Sequence, residues 1–293
     1  MQLSWIFGLC LAAQAIHASE SVPITKNGET VATFNVEEFF YKLPDFPIMN
    51  TGKYGQFLDQ LEKKAATPPK NASIDARGAI IPEQLGTQIN RQALTEQLYS
   101  FYFNRLQTRI EVPLVTAYPK VDSELLSEIN SLRIGRYVTS FNQHNKNRSV
   151  NIKIAADAIN NYVVFPGETF SFNKVVGKRT ADRGYLRAPV IIRGEIDEDI
   201  GGGICQVSST LYNAVDNAGL KIIQRYSHSR RVPYIPPGRD ATVSWYGPDF
   251  VFKNSYNQPI LIRARTLGGM LIISVFSAEG MNYSPRKVPS PPY

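Results

Sequence analysis

The run Gly201-Gly202-Gly203-Ile204-Cys205-Gln206 constrains this chain more than any other stretch. Consecutive glycines admit backbone conformations closed to other residues and allow close approach of neighbouring groups. A helical apolar pattern starts at once, with Val207, Leu211, Ala214, Val215 and Ala218 on one face and Gly219 as its stop. The run therefore predicts a glycine turn feeding a helix, with a cysteine in the first turn. A thiol there feels the positive end of the helix dipole, which favours the thiolate. The amides of such a turn can face an anion. Two readings fit Cys205: a nucleophile, or a small buried residue without chemistry.

Residues 1–18 read as a secretory signal peptide, almost wholly apolar over 3–13, with small residues for cleavage in Ala13-Gln14-Ala15 and Ile16-His17-Ala18. The apolar run is shorter than the about 20 residues of a membrane span. Membrane contact is expected only if this segment is retained as an anchor. Cleavage would remove one of the 2 cysteines, Cys10, and one of the 3 histidines, His17. The exported chain would keep Cys205 alone, unable to form an internal disulfide, together with His144 and His228. The expected location is secreted or cell-wall associated.

A net charge of +7 suits an anionic cell-wall polymer, with ordinary solubility charge as the plain alternative. No basic block with interleaved aromatics points to nucleic acid. No phosphate loop or dinucleotide fingerprint is present, so no cofactor is expected. His144 has no zinc partner at a suitable spacing, and Glu195, Asp197, Glu198 and Asp199 lack a calcium-loop frame. That acidic run reads as a solvated hairpin, and no metal is expected. Nothing in the residues sets an oligomeric state.

The length after 1–18 accommodates two domains of an α+β chain. The first, a small α+β domain over 19–132, has a helix over 53–66 ended by Pro68-Pro69, and short strands over 73–75 and 78–81. Asn90 caps a helix with Leu94, Leu98, Phe101 and Arg105 on one stripe, an edge strand runs over 109–115, and Asp122 opens a last helix. The second, over 133–280, is mostly β with a few helices. It has a helix over 150–159 before the cysteine helix. Its strands run over 162–165, 188–192, 220–226, 242–245, 249–253, 260–264 and 270–276, with a turn at Arg193-Gly194-Glu195. Residues 281–293 form a proline-rich tail expected to be disordered.

The second half carries Asn151-Ile152, Pro166-Gly167-Glu168-Thr169-Phe170-Ser171-Phe172-Asn173, Val176-Gly177, Gly184-Tyr185 and Ala188-Pro189-Val190. It continues with the cysteine run through Ala214, His228-Ser229, and Tyr234-Ile235-Pro236-Pro237-Gly238-Arg239-Asp240-Ala241-Thr242-Val243. In these blocks and their order it resembles the VanW family. Residues from about 57 to 125 are similar to a peptidoglycan-binding domain often found before VanW modules, through Asn71-Ala72, Ile80-Ile81-Pro82-Glu83, Gly86, Ile89, the Leu94–Leu98 helix and 110–114. The resemblance implies cell-envelope association and peptidoglycan as the partner. It implies neither drug resistance nor an assigned active site.

His228 lies beyond the cysteine helix and a predicted strand, with Asp240 a little further on. A cysteine, a histidine and an aspartate can form a nucleophilic set: His228 takes the thiol proton, Asp240 orients the imidazole, and the thiolate attacks an amide carbonyl. Amides around 204–206 and the Gln206 side chain are candidate oxyanion donors. Gly202, Gly203, Gln206, Ser208 and Arg239 complete the candidate site as substrate-binding residues, Arg239 by gripping a carboxylate. Plainer readings stand beside each. His228 between two serines fits a surface histidine, Asp240 a turn cap, Arg239 a salt bridge, and Ser208 and Ser209 the first helical turn. Three functions follow: a cysteine transpeptidase or amide hydrolase on peptidoglycan, a non-catalytic peptidoglycan-binding protein, or an envelope scaffold. Similar wall-binding modules also precede L,D-transpeptidases, but their Ser/Thr-His-Gly-Cys signature is absent, since Gly203-Ile204 precedes Cys205.

Overall fold

Asn27 (φ 53°) and Gly28 (φ 82°) close the first hairpin of the computed structural model, which describes residues 20–41, 47–192 and 195–292. The expected signal segment 1–18 and the Arg193-Gly194 turn lie outside the described residues. The hairpin consists of β1 (Ser21–Lys26) and β2 (Glu29–Asn35). It is absent from the strands read above, although Asn-Gly between two extended runs is its ordinary signal. There follow α1 (Val36–Phe39), β3 (Phe40–Tyr41), β4 (Ile48–Met49) and α2 (Thr51–Ala65). The short hairpin β5 (Ser73–Ile74) and β6 (Ile80–Ile81) precedes β7 (Gly86–Ile89) and α3 (Arg91–Asn104), where the Asn90 side chain accepts from Ala93 N–H as expected.

The strand expected over 109–115 is instead two. β8 (Ile110–Glu111) runs parallel to β1, and β9 (Leu114–Ala117) pairs with β7. Pro113 separates them, since it has no N–H to continue a ladder. Next come α4 (Ser123–Ile129), β10 (Leu132–Ser140), α5 (Lys146–Ile159), β11 (Tyr162–Val164), β12 (Thr169–Ser171) and α6 (Phe172–Val176). The chain closes with β13 (Arg187–Ile192), β14 (Glu195–Ile200), α7 (Ile204–Asn217), β15 (Lys221–Gln224), β16 (Val251–Lys253), β17 (Ile260–Leu267) and β18 (Met270–Ser277). The architecture is α+β.

Two compact units divide the chain. One holds the described residues up to Lys70 and Gln84–Pro119, the other Asn71–Glu83 and the residues from Lys120 onward. The first has an aromatic core: Phe34 stacks on Phe39 at 4.6 Å and meets Phe40 edge-on at 6.2 Å, beside buried Leu94, Leu98 and Phe101. The second is built on the antiparallel sheet β10-β18-β17-β11, with a smaller sheet β12-β16-β15 and the hairpin β13–β14. Asp197, Glu198 and Asp199 of that hairpin are exposed. Helix α7 lies on β10, and Gly135 makes this possible: a Cβ there would sit 2.4 Å from Ala214 O. The same glycine, between Ile134 and Arg136, breaks the alternation that would mark β10 as a strand.

Gly219 (φ 81°) ends α7 as expected, with Leu220 N–H donating to Val215 O at 3.1 Å and Gly219 N–H to Asp216 O at 2.9 Å. The helix is buried nearly all round, not along one face, and Gln206, Ser208, Ser209, Thr210 and Asn213 are buried with its apolar residues. The strand expected over 242–245 is an irregular segment, because its neighbours find partners other than a ladder. Ala241 N–H donates to Ser209 Oγ at 2.9 Å and Thr242 N–H to Tyr226 O at 2.8 Å. The tail expected to be disordered has no regular structure over 284–292 but is tied down. Arg286 bonds Asp216 at 2.8 Å and Leu220 O at 2.9 Å, and Tyr137 Oη donates to Pro289 O at 2.8 Å. Among the described residues no helix is long and apolar enough to cross a membrane.

Candidate active site

Each glycine of the run makes room for a different neighbour. Gly201 (φ 91°) lies against the stem of Arg179, where an added Cβ would meet Arg179 Cβ at 3.2 Å and Cγ at 3.4 Å. Gly202 packs under β13, its Cβ position only 2.4 Å from Ala188 O. Gly203 (φ 110°) is the N-cap of α7 and faces the Arg148 stem, with Cγ 3.0 Å from the Cβ position. The glycines thus let two arginines and a strand crowd around the start of the helix that carries Cys205.

Polar side chains of α7 hold the segment bearing the other site residues. Ser208 Oγ donates to Ala241 O at 2.5 Å, and Asn213 Nδ2 donates to Arg239 O at 2.8 Å. Asp240 between them accepts twice from His228, from the backbone N–H at 2.6 Å and at ring Nδ1 at 2.7 Å. The His228 and Asp240 side chains are 6% and 10% exposed. With Nδ1 engaged, Nε2 is the ring nitrogen left for the Cys205 thiol. The half-buried thiol also lies 3.5 Å from Val243 O and 3.8 Å from Thr242 Oγ1.

Burial works to raise the Cys205 pKa, but the hydrogen bond and charge of His228 outweigh it and hold the thiol below its ordinary range. Burial works to lower the His228 pKa, and the bonds to Cys205 and Asp240 outweigh it and raise it. Burial would raise the Asp240 carboxyl, but the two His228 donors bring it below the ordinary range. The directions agree: thiolate, imidazolium and carboxylate are each favoured by the next. This is the electrostatic order of a cysteine nucleophile with an oriented base.

Cys205 and His228 line a cavity of about 660 Å³, together with Thr242, Arg148, Arg179 and Gly203, among others, and Asp240 bonds the imidazole from outside that lining. Lys178, Trp245 and Tyr246 also line it, with Trp245 41% and Tyr246 85% exposed. Lys178 Nζ sits 5.4 Å from the Tyr246 ring centre. Ile204 and Gln206 N–H donate to Gly201 O and Gly203 O at 3.3 and 3.0 Å. The Cys205 N–H has no such acceptor among the described residues and is the first-turn amide left for an oxyanion.

The structure thus brings Cys205, His228 and Asp240 together, with Gly203 beside them, and separates the rest of the expected set. Gly202 is buried beneath β13 and does not line the cavity. Gln206 lines it, but its amide donates to Thr139 Oγ1 and Ser140 O, both at 3.0 Å, so it has no donor for an oxyanion. Ser208 is consumed by Ala241 O and Cys205 O. Arg239 bonds Asn213 Oδ1 at 2.8 Å and Asp216 at 2.7 Å and lies outside the cavity, which is the salt-bridge reading of that residue. His144 is exposed and bonds Asn142. Arg148 and Arg179 enter the site without a motif of their own, whereas Tyr234 and Thr242 come from the 234–243 block. The signal that could have found the arginines is the glycine run, whose missing Cβ atoms receive them.

The chain is 53% identical over 287 residues to the uncharacterized protein YoaR of Bacillus subtilis (strain 168), covering 98% of this chain and 95% of that protein. It is 35% identical over 116 residues to the vancomycin B-type resistance protein VanW of Enterococcus faecalis (strain ATCC 700802 / V583), covering 38% of this chain and 42% of that one. No solved structure matches the chain. The model of a family described as VanW like protein matches residues 147–276, a span containing the glycine run, Cys205, His228 and Asp240. With that span matched and a full-length relative at its side, the chain belongs to the VanW family.

Proposed function

We propose that the chain is an exported cell-envelope protein whose second unit is a cysteine-dependent transpeptidase or amide hydrolase acting on peptidoglycan peptides. The observation that carries the reading is the Cys205–His228–Asp240 contact series at the cavity wall. In the first step His228 Nε2 takes the thiol proton and Sγ adds to the amide carbonyl, whose oxygen receives the Cys205 N–H. The tetrahedral adduct then expels the amine, which takes the proton from the imidazolium, and leaves a thioester on Cys205. Water resolves the thioester in a hydrolase, an acceptor amine in a transpeptidase. Asp240 holds the imidazole in one tautomer throughout.

The signal-like segment 1–18 and the net charge of +7 support an envelope setting with an anionic wall polymer as partner. The resistance-protein name of the shorter relative points the same way. The first unit is the wall-binding part in this reading. Its groove of about 430 Å³ presents Lys53 and Lys64 beside Phe57 and the carboxylate of Glu38, a mixed-charge surface suited to a glycopeptide.

The test is incubation of the purified protein with muropeptides, followed by mass spectrometry. Wild type is expected to cleave or exchange a peptide amide, with Cys205→Ser and His228→Ala at least about 100-fold slower. Sacculus binding equal in wild type and Cys205→Ser, with no product from either, would replace the enzyme with a non-catalytic binding protein.

A further inference from the structure

The cavity wall that carries Cys205 is cationic. Arg148, Lys178 and Arg179 line it, and Asp199 is the carboxylate among the lining residues. Asp199 is exposed on β14, where Oδ1 accepts from Ile200 N–H at 2.7 Å. Of the three cations, Arg179 is the least satisfied. Its Nη1 and Nη2 are both buried and neither has a hydrogen-bond partner. The Tyr185 hydroxyl, which interacts electrostatically with Arg179, is likewise buried and unpartnered. Asp249 also feels the guanidinium, but its oxygens are taken by Ser171 Oγ at 2.6 Å and Asn173 N–H at 2.9 Å.

A guanidinium buried without acceptors is costly, so a fold that keeps one has a use for it. This fold positions it deliberately: Gly201 gives up a side chain so that the Arg179 stem can pass, and the Phe172 ring lies 5.7 Å beneath Cζ. Arg148 is held in the same manner, its stem against Gly203 and Nη2 bonded to Gln206 Oε1 at 2.8 Å. Both guanidiniums are close enough to Cys205 to feel its charge. Two planar forks beside a nucleophile match a planar, two-oxygen anion, and the fork of arginine pairs with a carboxylate through two parallel bonds.

We propose that Arg179, supported by Arg148, forms a carboxylate-binding subsite of the cleft, so that the ligand is a peptide or acylated amino acid with a free carboxylate near the bond attacked. The proposal rests on the cysteine reading above for the identity of that bond, not for the subsite itself. It places the reaction at the carboxyl end of a peptide and disfavours a peptide whose end is amidated.

The test compares iodoacetate with iodoacetamide as alkylators of Cys205 in the full chain at pH 7. The ratio of the two rates within one protein cancels any change in the thiol. Wild type is expected to show a ratio roughly tenfold above that of glutathione, with saturation by iodoacetate, and Arg179→Gln to fall to the glutathione value. Arg179→Lys keeps the charge without the fork and is expected to recover only part of the preference. In parallel, calorimetry on Cys205→Ser measures N-acetylalanine against N-acetylalanine amide, with the acid expected to bind roughly tenfold tighter and Arg179→Gln to level the two. Equal ratios and equal affinities in wild type and Arg179→Gln would overturn the subsite. A thiol inert to both reagents would overturn the cysteine reading instead, and the calorimetric difference then decides the subsite alone.

Discussion

Helices α3 and α7 are each 14 residues long, and they are buried in opposite ways. In the first unit α3 buries Leu94, Leu98 and Phe101 and turns its polar residues outward. In the second α7 buries residues on every side, five of them polar, and each of those five is hydrogen-bonded. An apolar stripe contributes stability in proportion to area and tolerates small shifts of its neighbours. Buried polar pairs contribute little net stability when made but cost about 1–3 kcal/mol each when broken, so they admit one arrangement. Helix α3 stabilises a unit. Helix α7 specifies the position of Cys205 relative to the 239–243 segment.

The largest effect expected from this contrast is in the first unit. Leu98→Ala removes a fully buried side chain and is expected to lower that unit's stability by about 2–5 kcal/mol in a denaturant titration. The iodoacetamide rate of Cys205 in the folded protein stays at the wild-type value, and a slowed thiol would break the separation between the two regions.

Next in size is His228→Ala, which reads the electrostatics directly. The Cys205 pKa is lowered by its partner, so the wild-type thiolate persists as the pH falls below the ordinary thiol value of about 8.5. The His228 pKa is raised, so the imidazolium persists as the pH rises above about 6.5. Both shifts extend the pH range over which a thiolate faces an imidazolium. Removing the imidazole returns the thiol toward its ordinary range and is expected to slow alkylation at pH 6 by about a hundredfold. Identical pH profiles for variant and wild type would show an unassisted thiol.

The smallest of the three sharpens the role of the polar helix. Ser208→Ala leaves Ala241 O with the longer bond from Ser209 Oγ at 3.4 Å and is expected to cost about 1 kcal/mol. Its alkylation profile is also expected to move toward that of His228→Ala, because the segment next to Asp240 loosens. A stability loss with an unmoved profile would make Ser208 a packing residue only.

Local signals were legible where the chain's own neighbours satisfy them. Asn90 and Asp122 accept from the amides three residues on, and Gly219 ends α7, all as their positions along the chain suggest. Asn27-Gly28 carried an equally plain hairpin signal. Pro113 was readable as a break in pairing, but not as the point where one run feeds two different sheets. The site was legible in its chemistry and not in its geometry. Cys205, His228 and Asp240 are the residue types a nucleophilic set requires, and they meet. Gln206, Ser208 and Arg239 are equally suited to a ligand, yet other parts of the protein consume their polar atoms. Arg148 and Arg179 stand in no motif, and only the packing around Gly203 and Gly201 brings them to the cleft.

Helix starts and stops, the glycine turn before Cys205 and the α+β character follow from the order of residues, because caps, φ preferences and apolar spacing act over a few positions. Which polar side chains face a ligand and which are spent inside the protein was settled only by folding. A hydrogen-bond donor has the same chemistry in both settings, and its partner is chosen by segments distant in sequence: Ser208 finds Ala241 O, whereas both terminal nitrogens of Arg179 find no acceptor.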